Sequence, residues 1–404
     1  MKYKIITNNL FDGHNFHKRS LEITINGNKV EKIQPYHETE NNDKAQVIDA
    51  RGDTVLPGLI DTHVHVTMNP DDVGRWDDWI KEERKEILIL KGMANALSLI
   101  NSGVTTVLEC GACSDTGFIL REAINRGIVK GPRMLISGNP ITITGGHCHY
   151  MGIEADNEDE IRKAVRHLNK QEVDFIKFMP TGGSLTPQSN RRGVQYSLSE
   201  VEVLVEEAKR CQKKVVAHAL GTEGIVNSVK AGVDSIEHCA WLAPEDGYLF
   251  IEAVAEEIAD KGIFVTPTLP SAFRYTARMA QAGFEERINN YKTMHSLGVK
   301  FLAGTDAGVP EVGFEDLAYS VQLLHEEIGL SIEEAIETAT SNAAKAIGKE
   351  EELGTVEVGK LADLIIVKGD LSSDVNCLKQ VKYVIKDGER VVEKGRDAYE
   401  NQLH

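Results

Sequence analysis

A lysine interrupts a short apolar run in the middle of the chain, in the stretch DFIKFMPTGG at residues 174–183. Apolar residues flank Lys177 on both sides, and Pro180, Gly182 and Gly183 end the run. Such a run is typical of a strand in a sheet that is covered on both faces. Because an isolated buried ammonium is unfavourable, Lys177 is expected to be paired, neutralised or chemically altered.

Four histidines and one aspartate lie where other apolar runs end. His63 and His65 are two residues apart, and side chains at i and i+2 of a strand point to the same side. The pair can therefore offer two ring nitrogens to one metal ion. His218, His238 and Asp306 occupy corresponding positions in three later runs. A single such histidine is more often a satisfied core or rim residue, whereas this whole set favours one shared site.

Apolar runs alternate with helix-period segments from about residue 55 to residue 348. The runs lie at residues 55–66, 104–111, 133–141, 174–179, 213–219, 235–239, 263–269 and 300–307. One intervening segment, residues 200–211, has Ser199 as its predicted N-cap and apolar residues on one face. Eight strands, each followed by a helix, predict an α/β protein with a (β/α)8 TIM barrel. Barrel enzymes place their active sites at the carboxyl ends of the strands, where the candidate residues fall.

The two ends of the chain differ from the middle. Residues 1–54 contain strand-like runs with a turn at residues 26–28, and residues 351–404 contain similar runs with a turn at residues 386–388. Neither end has enough strands for a stable sheet of its own. The two ends are therefore expected to pair into one small β-sandwich beside a catalytic barrel at residues 55–350.

Composition and charge narrow the class of protein. The chain of 404 residues is 41% hydrophobic and 26% charged, as expected for a globular protein with a large core. Acidic residues outnumber basic ones by 62 to 45, which gives a net charge of −17. This balance argues against nucleic acid or an anionic membrane as the main partner.

The apolar runs and the cysteines bear on location. The N-terminal residues contain no apolar run long enough for a signal peptide, and no window approaches the ~18 apolar residues of a membrane span. The six cysteines are scattered, which favours free thiols over a disulfide framework. A cytoplasmic location is therefore expected. Cys110 and Cys113 have the spacing of a redox or zinc motif, but one such pair without partners is a weak signal.

Several motifs, in chain order, resemble those of the amidohydrolase superfamily of metal-dependent barrel hydrolases. They are PGLIDTHVH at 57–65, AHA at 217–219, SIEH at 235–238, AGTDAG at 303–308 and GKLADLIIVKGD at 359–370. Together they extend over nearly the whole chain.

The resemblance implies a chemical role for Lys177. Members of the superfamily with a lysine on strand four carry it as a carbamate, formed when CO₂ adds to the neutral amine, and this carbamate bridges two divalent metal ions. Burial favours the neutral amine that the reaction needs. The alternative is an unmodified ammonium that is paired with Glu109 or Asp306.

The same resemblance implies a set of metal ligands. The first ion would be bound by His63, His65 and Asp306, and the second by His218 and His238, with the Lys177 carbamate and a hydroxide bridging them. Zinc suits such a site, with manganese, cobalt and iron as alternatives. Asp306 would also take the proton of the attacking hydroxide and pass it to the leaving nitrogen, as general base and then general acid.

Three further motifs look like those of the prolidase and imidazolonepropionase-like cluster: TITGGH at 142–147, TGG at 181–183 and HALGTEGI at 218–225. The dinuclear members of this cluster hydrolyse dipeptides or N-acyl amino acids and release a C-terminal residue such as proline, arginine or an aromatic. Imidazolonepropionases are mononuclear and lack the strand-four lysine, so Lys177 argues against that activity. A substrate of this type needs its α-carboxylate held, and the candidate donors are His147, Tyr196, Arg191 and Arg192. For the two arginines, a solvated loop is an equal alternative.

Other functions remain open from the sequence. A cyclic-amide hydrolase or a deaminase uses the same scaffold. A non-catalytic barrel would serve as an interaction protein, although such relatives lose ligands that are all present here. The segment with Trp76 and Trp79 could cover the pocket, contact another subunit of a homo-oligomer or simply pack. The expected partner is a small-molecule or dipeptide substrate.

Overall fold

Strands and helices alternate through the middle of the chain in the computed structural model, which describes residues 2–38, 46–71, 83–271 and 281–393. The strands are β1 (Lys2–Thr7), β2 (Leu10–Phe11), β3 (Phe16–His17), β4 (Leu21–Asn26), β5 (Lys29–Pro35), β6 (Gln46–Ala50), β7 (Asp53–Pro57), β8 (Leu59–Val64), β9 (Val104–Glu109), β10 (Arg133–Ile136), β11 (Ile141–Thr142), β12 (Ile153–Glu154), β13 (Phe175–Phe178), β14 (Lys214–Gly221), β15 (Ser235–Leu242), β16 (Phe264–Thr266), β17 (Leu364–Lys368), β18 (Val381–Lys386) and β19 (Glu389–Glu393). The α-helices are α1 (Lys85–Asn101), α2 (Thr116–Asn125), α3 (Glu158–Lys170), α4 (Leu198–Arg210), α5 (Thr222–Ala231), α6 (Glu252–Lys261), α7 (Gln281–Ser296), α8 (Leu317–Leu323), α9 (Ile332–Glu337) and α10 (Ser341–Ala346). A π-helical turn, Leu324–Ile328, continues α8, and a 3₁₀ helix spans Val375–Lys379.

Parallel pairing links the strands in the middle of the chain into two sheets, in the orders β10-β9-β8 and β12-β11-β13-β14-β15-β16. Residues 300–307 connect the two sheets on one side, through isolated bridges to β16 and β8. On the other side, the amide of Asp174 donates to the carbonyl oxygen of Ile136 at 2.8 Å. The strands therefore follow one another in a TIM-barrel-like α/β arrangement, with their carboxyl ends on one side.

Three of the predicted runs are shorter as regular strands than the sequence suggested. β10 ends at Ile136, because Gly138 adopts a left-handed φ of +68°. β16 ends at Thr266, because Pro267 lacks an amide hydrogen for the ladder. Residues 300–307 form only the isolated bridges.

Helix α4 begins earlier than predicted. Its N-cap is Ser197, not Ser199, and the extended backbone of Ser197 precedes the first helical residue, Leu198. The carboxylate of Glu200 accepts a hydrogen bond from the Ser197 amide at 2.8 Å. This reciprocal arrangement of a serine and a glutamate three residues later is a capping box, which fixes the start of the helix.

Two further sheets contain both ends of the chain. Their orders are β5-β4-β1-β6 and β19-β18-β17-β7-β2-β3, and β7 pairs antiparallel with β17. The predicted turns at residues 26–28 and 386–388 each join two adjacent antiparallel strands. Ile5, Ile23 and Leu364 belong to one apolar cluster that is filled from both sheets. The two chain ends therefore share a core, and β7 leads directly into the first parallel strand, β8.

An ionic contact joins the parallel strands to the sheet of the chain ends. Arg133, the first residue of β10, donates to the carboxylates of Asp363 and Asp387, each at 2.5 Å. The Asp363 carboxylate is almost fully buried. The contact lies at the amino ends of the parallel strands and so on the side away from the predicted site.

The remaining predictions concern cysteines and membrane spans. All six cysteines are free. Cys110 and Cys113 belong to different apolar clusters. No helix within the described ranges is long and apolar enough to cross a membrane. Trp76 and Trp79 lie outside the described residues.

Candidate metal centre and active site

The carboxyl ends of the parallel strands surround a cavity that contains about 770 Å³ of empty space, including the part open to solvent. Most of the residues that were singled out in the sequence line it, namely His63, His65, His147, Lys177, His218, His238 and Asp306. The rest of the wall is made of Cys148, Met179, Ser184, Leu185, Leu220 and Val309. The fold therefore brings a group of ionisable side chains together against a largely apolar wall.

Three of these side chains converge on one point. Asp306 Oδ1 lies 3.4 Å from His63 Nε2 and 3.4 Å from His65 Nε2. Ligand atoms that surround one tetrahedral zinc ion lie roughly 3.3–3.6 Å apart. The separations therefore fit a shared ion. His63, His238 and Asp306 also offer three ligand atoms that lie within 4.8 Å of one another.

Hydrogen bonds on the far side of each ring determine which nitrogen faces the cavity. His63 Nδ1 lies 2.6 Å from Glu237 Oε2, and His65 Nδ1 lies 2.9 Å from the carbonyl oxygen of Gly111. Because a carbonyl oxygen can only accept, His65 donates from Nδ1 and keeps the lone pair of Nε2 for the cavity. This is the tautomer that a metal ligand on the cavity side requires.

His218 and His238 form a second pair of donors beside the first group. His218 Nδ1 lies 2.8 Å from His238 Nε2. The ring centroids of His63 and His238 are 5.4 Å apart, so the two groups are neighbours. The cavity thus presents two adjacent sets of nitrogen and oxygen donors, as two nearby metal ions would need.

Lys177 is 1% exposed, and its Nζ has no hydrogen-bond partner among the described residues. The expected alternative, an ion pair with Glu109 or Asp306, is not formed there. Glu109 instead accepts hydrogen bonds from the amides of Val66, at 2.6 Å, and Gly111, at 3.2 Å. A buried amine without a partner is unfavourable, so the arrangement fits a carbamate better than a structural ion pair.

Burial and the contacts among the donors set their protonation. Burial lowers the pKa of His218 and His238 well below the usual histidine range. Burial alone would raise the pKa of Asp306, but the imidazoles around it hold that pKa well below its usual range. Burial also acts against the charged ring of His65, yet contact with Asp306 raises its pKa. Neutral imidazoles and an ionised carboxylate are the forms that bind metal ions.

Three residues of the site have left-handed backbone conformations that are rare for residues other than glycine. The φ angles are +63° at His238, +48° at Thr268 and +65° at Asp306. Each such conformation costs about 1–3 kcal/mol and persists only where its surroundings hold it. At His238 it accompanies a register shift between β14 and β15 beyond Ala219. Bulges of this kind redirect side chains at the rims of sheets.

His147 packs its ring against the loop that follows β13. A Cβ atom on Gly183 would lie 2.3 Å from His147 Nε2, so this position of the TGG motif has room only for glycine. Burial lowers the pKa of His147 to about 3, which keeps the ring neutral. Its nitrogens lie 3.3 Å from Thr186 Oγ1 and 3.4 Å from Cys148 Sγ. His147 can therefore offer a substrate a neutral hydrogen bond but no charge.

Tyr196, which was predicted to bind the substrate carboxylate, does not reach the cavity. The side chain is buried in the core, and its hydroxyl donates to the carbonyl oxygen of Ala155 at 2.9 Å. The prediction for Tyr196 is therefore corrected, because its only donor is already used within the fold.

The two arginines lie farther out than His147. Arg192 donates to the carbonyl oxygens of Ala243, at 2.7 Å, and Gly247, at 2.8 Å, so its guanidinium holds a neighbouring loop rather than a substrate. Arg191 is exposed. Both arginines line a second chamber, which shares Ser184 and Leu220 with the catalytic cavity. Arg191 is thus an exposed cation in this second chamber, which Arg287 also lines.

The sequence reasoning missed the residues that orient the ligands. Besides Glu237 and Glu109, Asp61 accepts hydrogen bonds from the amide of His63, at 3.1 Å, and the hydroxyl of Thr305, at 2.8 Å. A signal was available, because these three acids are charged residues inside apolar strand runs. Like Lys177, each is a charged side chain in an apolar run that needs a partner or a function.

Residues 54–391 match the model of the amidohydrolase family. The chain belongs to this family. This amidohydrolase is 26% identical to ochratoxinase from Aspergillus niger over 366 residues, which cover 82% of this chain and 73% of the relative. It is 24% identical to imidazolonepropionase from Symbiobacterium thermophilum over 394 residues, which cover 88% of this chain and 85% of the relative.

A solved structure supports the same assignment. The amidohydrolase superimposes on a Xaa-Pro dipeptidase with methionine bound in its active site, with a TM-score of 0.85 and 31% identity, over 96% of this chain and 99% of the other. The family expected from the motifs is therefore confirmed. The protein is a hydrolase of carbon–nitrogen bonds in amides, on a TIM-barrel-like α/β fold.

Proposed function

We propose that this amidohydrolase cleaves the amide bond of a dipeptide or an N-acyl amino acid, and that it uses two divalent metal ions. The observation that carries the proposal is the buried Lys177 amine, which has no partner among the described residues and faces two adjacent groups of donors. Similarity to a Xaa-Pro dipeptidase supports the substrate class.

The proposed ligand sets follow the two groups in the cavity. His63, His65 and Asp306 would hold the first ion, His218 and His238 would hold the second, and the carbamate of Lys177 would be a further ligand. The donors are imidazole nitrogens and carboxylate oxygens, which suit zinc. When bound, the two ions would supply an acidic water molecule and polarise the carbonyl group of the substrate.

Asp306 is the proposed proton carrier. Its Oδ1 faces His63 and His65, which leaves Oδ2 to receive a proton from the attacking water. The carboxylate is ionised before the reaction, as a general base must be. After attack, the same oxygen delivers the proton to the leaving nitrogen, so that the amine departs neutral.

Two regions of the cavity have different linings, and each would contact a different end of the substrate. Met179, Leu185, Leu220 and Val309 form an apolar surface that suits an apolar side chain next to the scissile bond. His147 supplies a neutral hydrogen bond, and Arg191 supplies a positive charge in the adjoining chamber for a substrate carboxylate. We therefore propose that dipeptides and N-acyl amino acids with an apolar side chain are preferred.

We also propose that the chain has two domains and that the protein is located in the cytoplasm. A (β/α)8 barrel at residues 55–350 is flanked by a β-sandwich formed by residues 1–54 and 351–404. The succession of parallel strands and the apolar cluster between the two terminal sheets support this division, and β7 crosses its first boundary. The free state of all six cysteines supports a reducing compartment, the cytoplasm.

The test is a substrate screen combined with elemental analysis. Protein reconstituted with zinc and bicarbonate is incubated with Xaa-Pro dipeptides, Xaa-Arg dipeptides and N-acyl amino acids, and the released amino acid is quantified. We expect about two metal ions per chain and release of the C-terminal residue. Metal content well below one ion per chain, with no release, would favour a non-catalytic protein. Opening of a cyclic amide or loss of ammonia, without cleavage of any dipeptide or N-acyl amino acid, would replace the proposed substrate class.

A further inference from the structure

Two residues of helix α7 support the backbone of His238 from outside the catalytic cavity, Tyr291 by direct contact and Arg287 through Tyr291. The Tyr291 hydroxyl donates to the His238 carbonyl oxygen at 2.5 Å, and Arg287 Nε donates to the Tyr291 hydroxyl oxygen at 2.8 Å. Arg287 and Tyr291 are four residues apart, so they lie on the same face of the helix. Tyr291 is fully buried, and the Arg287 guanidinium also lies over its ring, 5.5 Å from the centroid. The Tyr291 hydroxyl thus fixes the His238 carbonyl group, and the Arg287 guanidinium fixes the Tyr291 hydroxyl.

The Arg287 guanidinium is also linked to the ring of His238 indirectly, through Pro267 and Thr268. Arg287 donates from its terminal nitrogen to the carbonyl oxygen of Pro267 at 3.0 Å. The Thr268 hydroxyl donates to that carbonyl oxygen at 2.8 Å and lies 2.7 Å from His238 Nδ1. Because the hydroxyl hydrogen is used toward Pro267, the Thr268 oxygen accepts from His238 Nδ1. The lone pair of His238 is then on Nε2, which faces the cavity.

His238 needs such support more than the other histidines of the two donor groups. Its φ angle of +63° is left-handed, and the next residue, Cys239, is left-handed too, with φ of +46°. The backbone at His63, His65 and His218 shows no positive φ. Left-handed conformations of bulky residues persist only where the surrounding structure fixes them. The hydrogen bond from Tyr291 is made to the carbonyl of this strained residue itself.

We propose that Tyr291 and Arg287 are positioning residues that hold His238 in the orientation needed to bind a metal ion. The inference rests on the proposed function, because it requires His238 to be a metal ligand. Neither residue belongs to the wall of the catalytic cavity. Arg287 lines the adjoining chamber, so Tyr291, which lines neither space, is the residue whose effect must come through His238. Residues that orient metal ligands in this way typically change metal affinity about 10–100-fold when they are removed.

The test compares Tyr291→Phe with a matched control, Tyr196→Phe. Both substitutions remove one buried hydroxyl that donates to a backbone carbonyl, but Tyr196 lies outside the site. We expect similar losses of thermal stability from both. Only Tyr291→Phe should lose metal at about 10–100-fold lower chelator concentration than wild type, measured as metal content across a chelator series. It should also lower kcat while KM changes little, because the substrate contacts are intact.

A double-mutant cycle tests whether the two residues act as one unit. Arg287→Gln should weaken metal retention in the same direction, and the double variant should lose much less than the product of the two single effects. Arg287 is half-buried, so this variant also serves if Tyr291→Phe does not fold. Metal retention of Tyr291→Phe equal to that of Tyr196→Phe, or fully multiplicative effects, would overturn the inference while leaving the proposed function intact. A wild-type protein that binds no metal would overturn both.

Discussion

Replacing Lys177 by methionine should change stability and metal binding in opposite directions. Methionine has a similar length and no charge, so it fills the same space in the strand interior. It lacks the amine that we propose to form the carbamate. The variant should therefore lose metal and turnover, although its fold is unharmed.

The magnitude follows from the surroundings of the amine. Lys177 is 1% exposed, and Nζ has no hydrogen-bond partner in the described part of the chain. A buried donor without a partner costs about 1–3 kcal/mol, and more if it is charged. In the metal-free protein, Lys177→Met should raise the free energy of unfolding by at least about 1 kcal/mol.

The assay separates the two effects. Wild type and variant are stripped of metal with a chelator, and urea unfolding is followed by circular dichroism. Both proteins are then reconstituted with zinc and bicarbonate, and metal content and hydrolysis are measured. Lys382→Met serves as the control, because Lys382 Nζ lies 2.5 Å from the Asp53 carboxylate and the same substitution should lower stability there.

Two results would refute the reasoning. If Lys177→Met destabilises the metal-free protein by more than about 1 kcal/mol, the amine has a partner that contributes to folding. If the variant keeps its metal and its activity, the carbamate is not part of the site. In either case the assignment of two metal ions would lose its main support.

Three further substitutions test other parts of the structure. Asp306→Asn should retain metal, because an amide oxygen can still bind it, but should lower turnover about 10²–10⁴-fold, and an unchanged initial rate would exclude the proton-transfer role. Glu237→Gln removes the charged partner of His63 and should weaken metal binding about 10–100-fold in chelator competition, whereas wild-type retention would show that the contact is dispensable. Arg133→Met leaves the buried Asp363 carboxylate unpaired and should lower the free energy of unfolding by about 3–5 kcal/mol in urea, with metal content unchanged. Loss of metal in this last variant would contradict the separation of the two ends of the parallel strands.

Periodicity and strand-end positions account for what could be predicted. The alternation of apolar runs and helix-period segments indicated the α/β fold. Six candidates that were predicted at strand ends lie in one cavity, together with His147, which was predicted from its motif. The position of a residue along a strand depends on its neighbours in the chain, so it can be predicted from the sequence alone. The N-cap of α4 was predicted wrongly, because Ser197 and Ser199 are each followed three residues later by a glutamate. Only the folded structure shows that Ser197 and Glu200 form the capping box.

Hydrogen-bond partners that are distant in the chain could not be predicted. Glu237 and His63 are 174 residues apart, and Tyr291 and His238 are 53 residues apart. The predictions for Tyr196 and Arg192 as substrate donors were wrong for the same reason. Each side chain donates to a backbone carbonyl group that is distant in the sequence and comes near only in the folded chain. A polar residue in a loop near a motif gives no information about which acceptor it will meet.

The antiparallel pairing of β7 with β17 has a consequence for the way this protein is made. β7 lies near the beginning of the chain and β17 near its end. At roughly 5–20 residues per second, a ribosome needs roughly 15–60 s to synthesise the ~300 residues between them. During that time β17 is absent, so the edge of β7 that it covers is unpaired. An unpaired edge is a template for association with a neighbouring nascent chain. The period of synthesis is therefore a stage at which this edge is open to association with other chains.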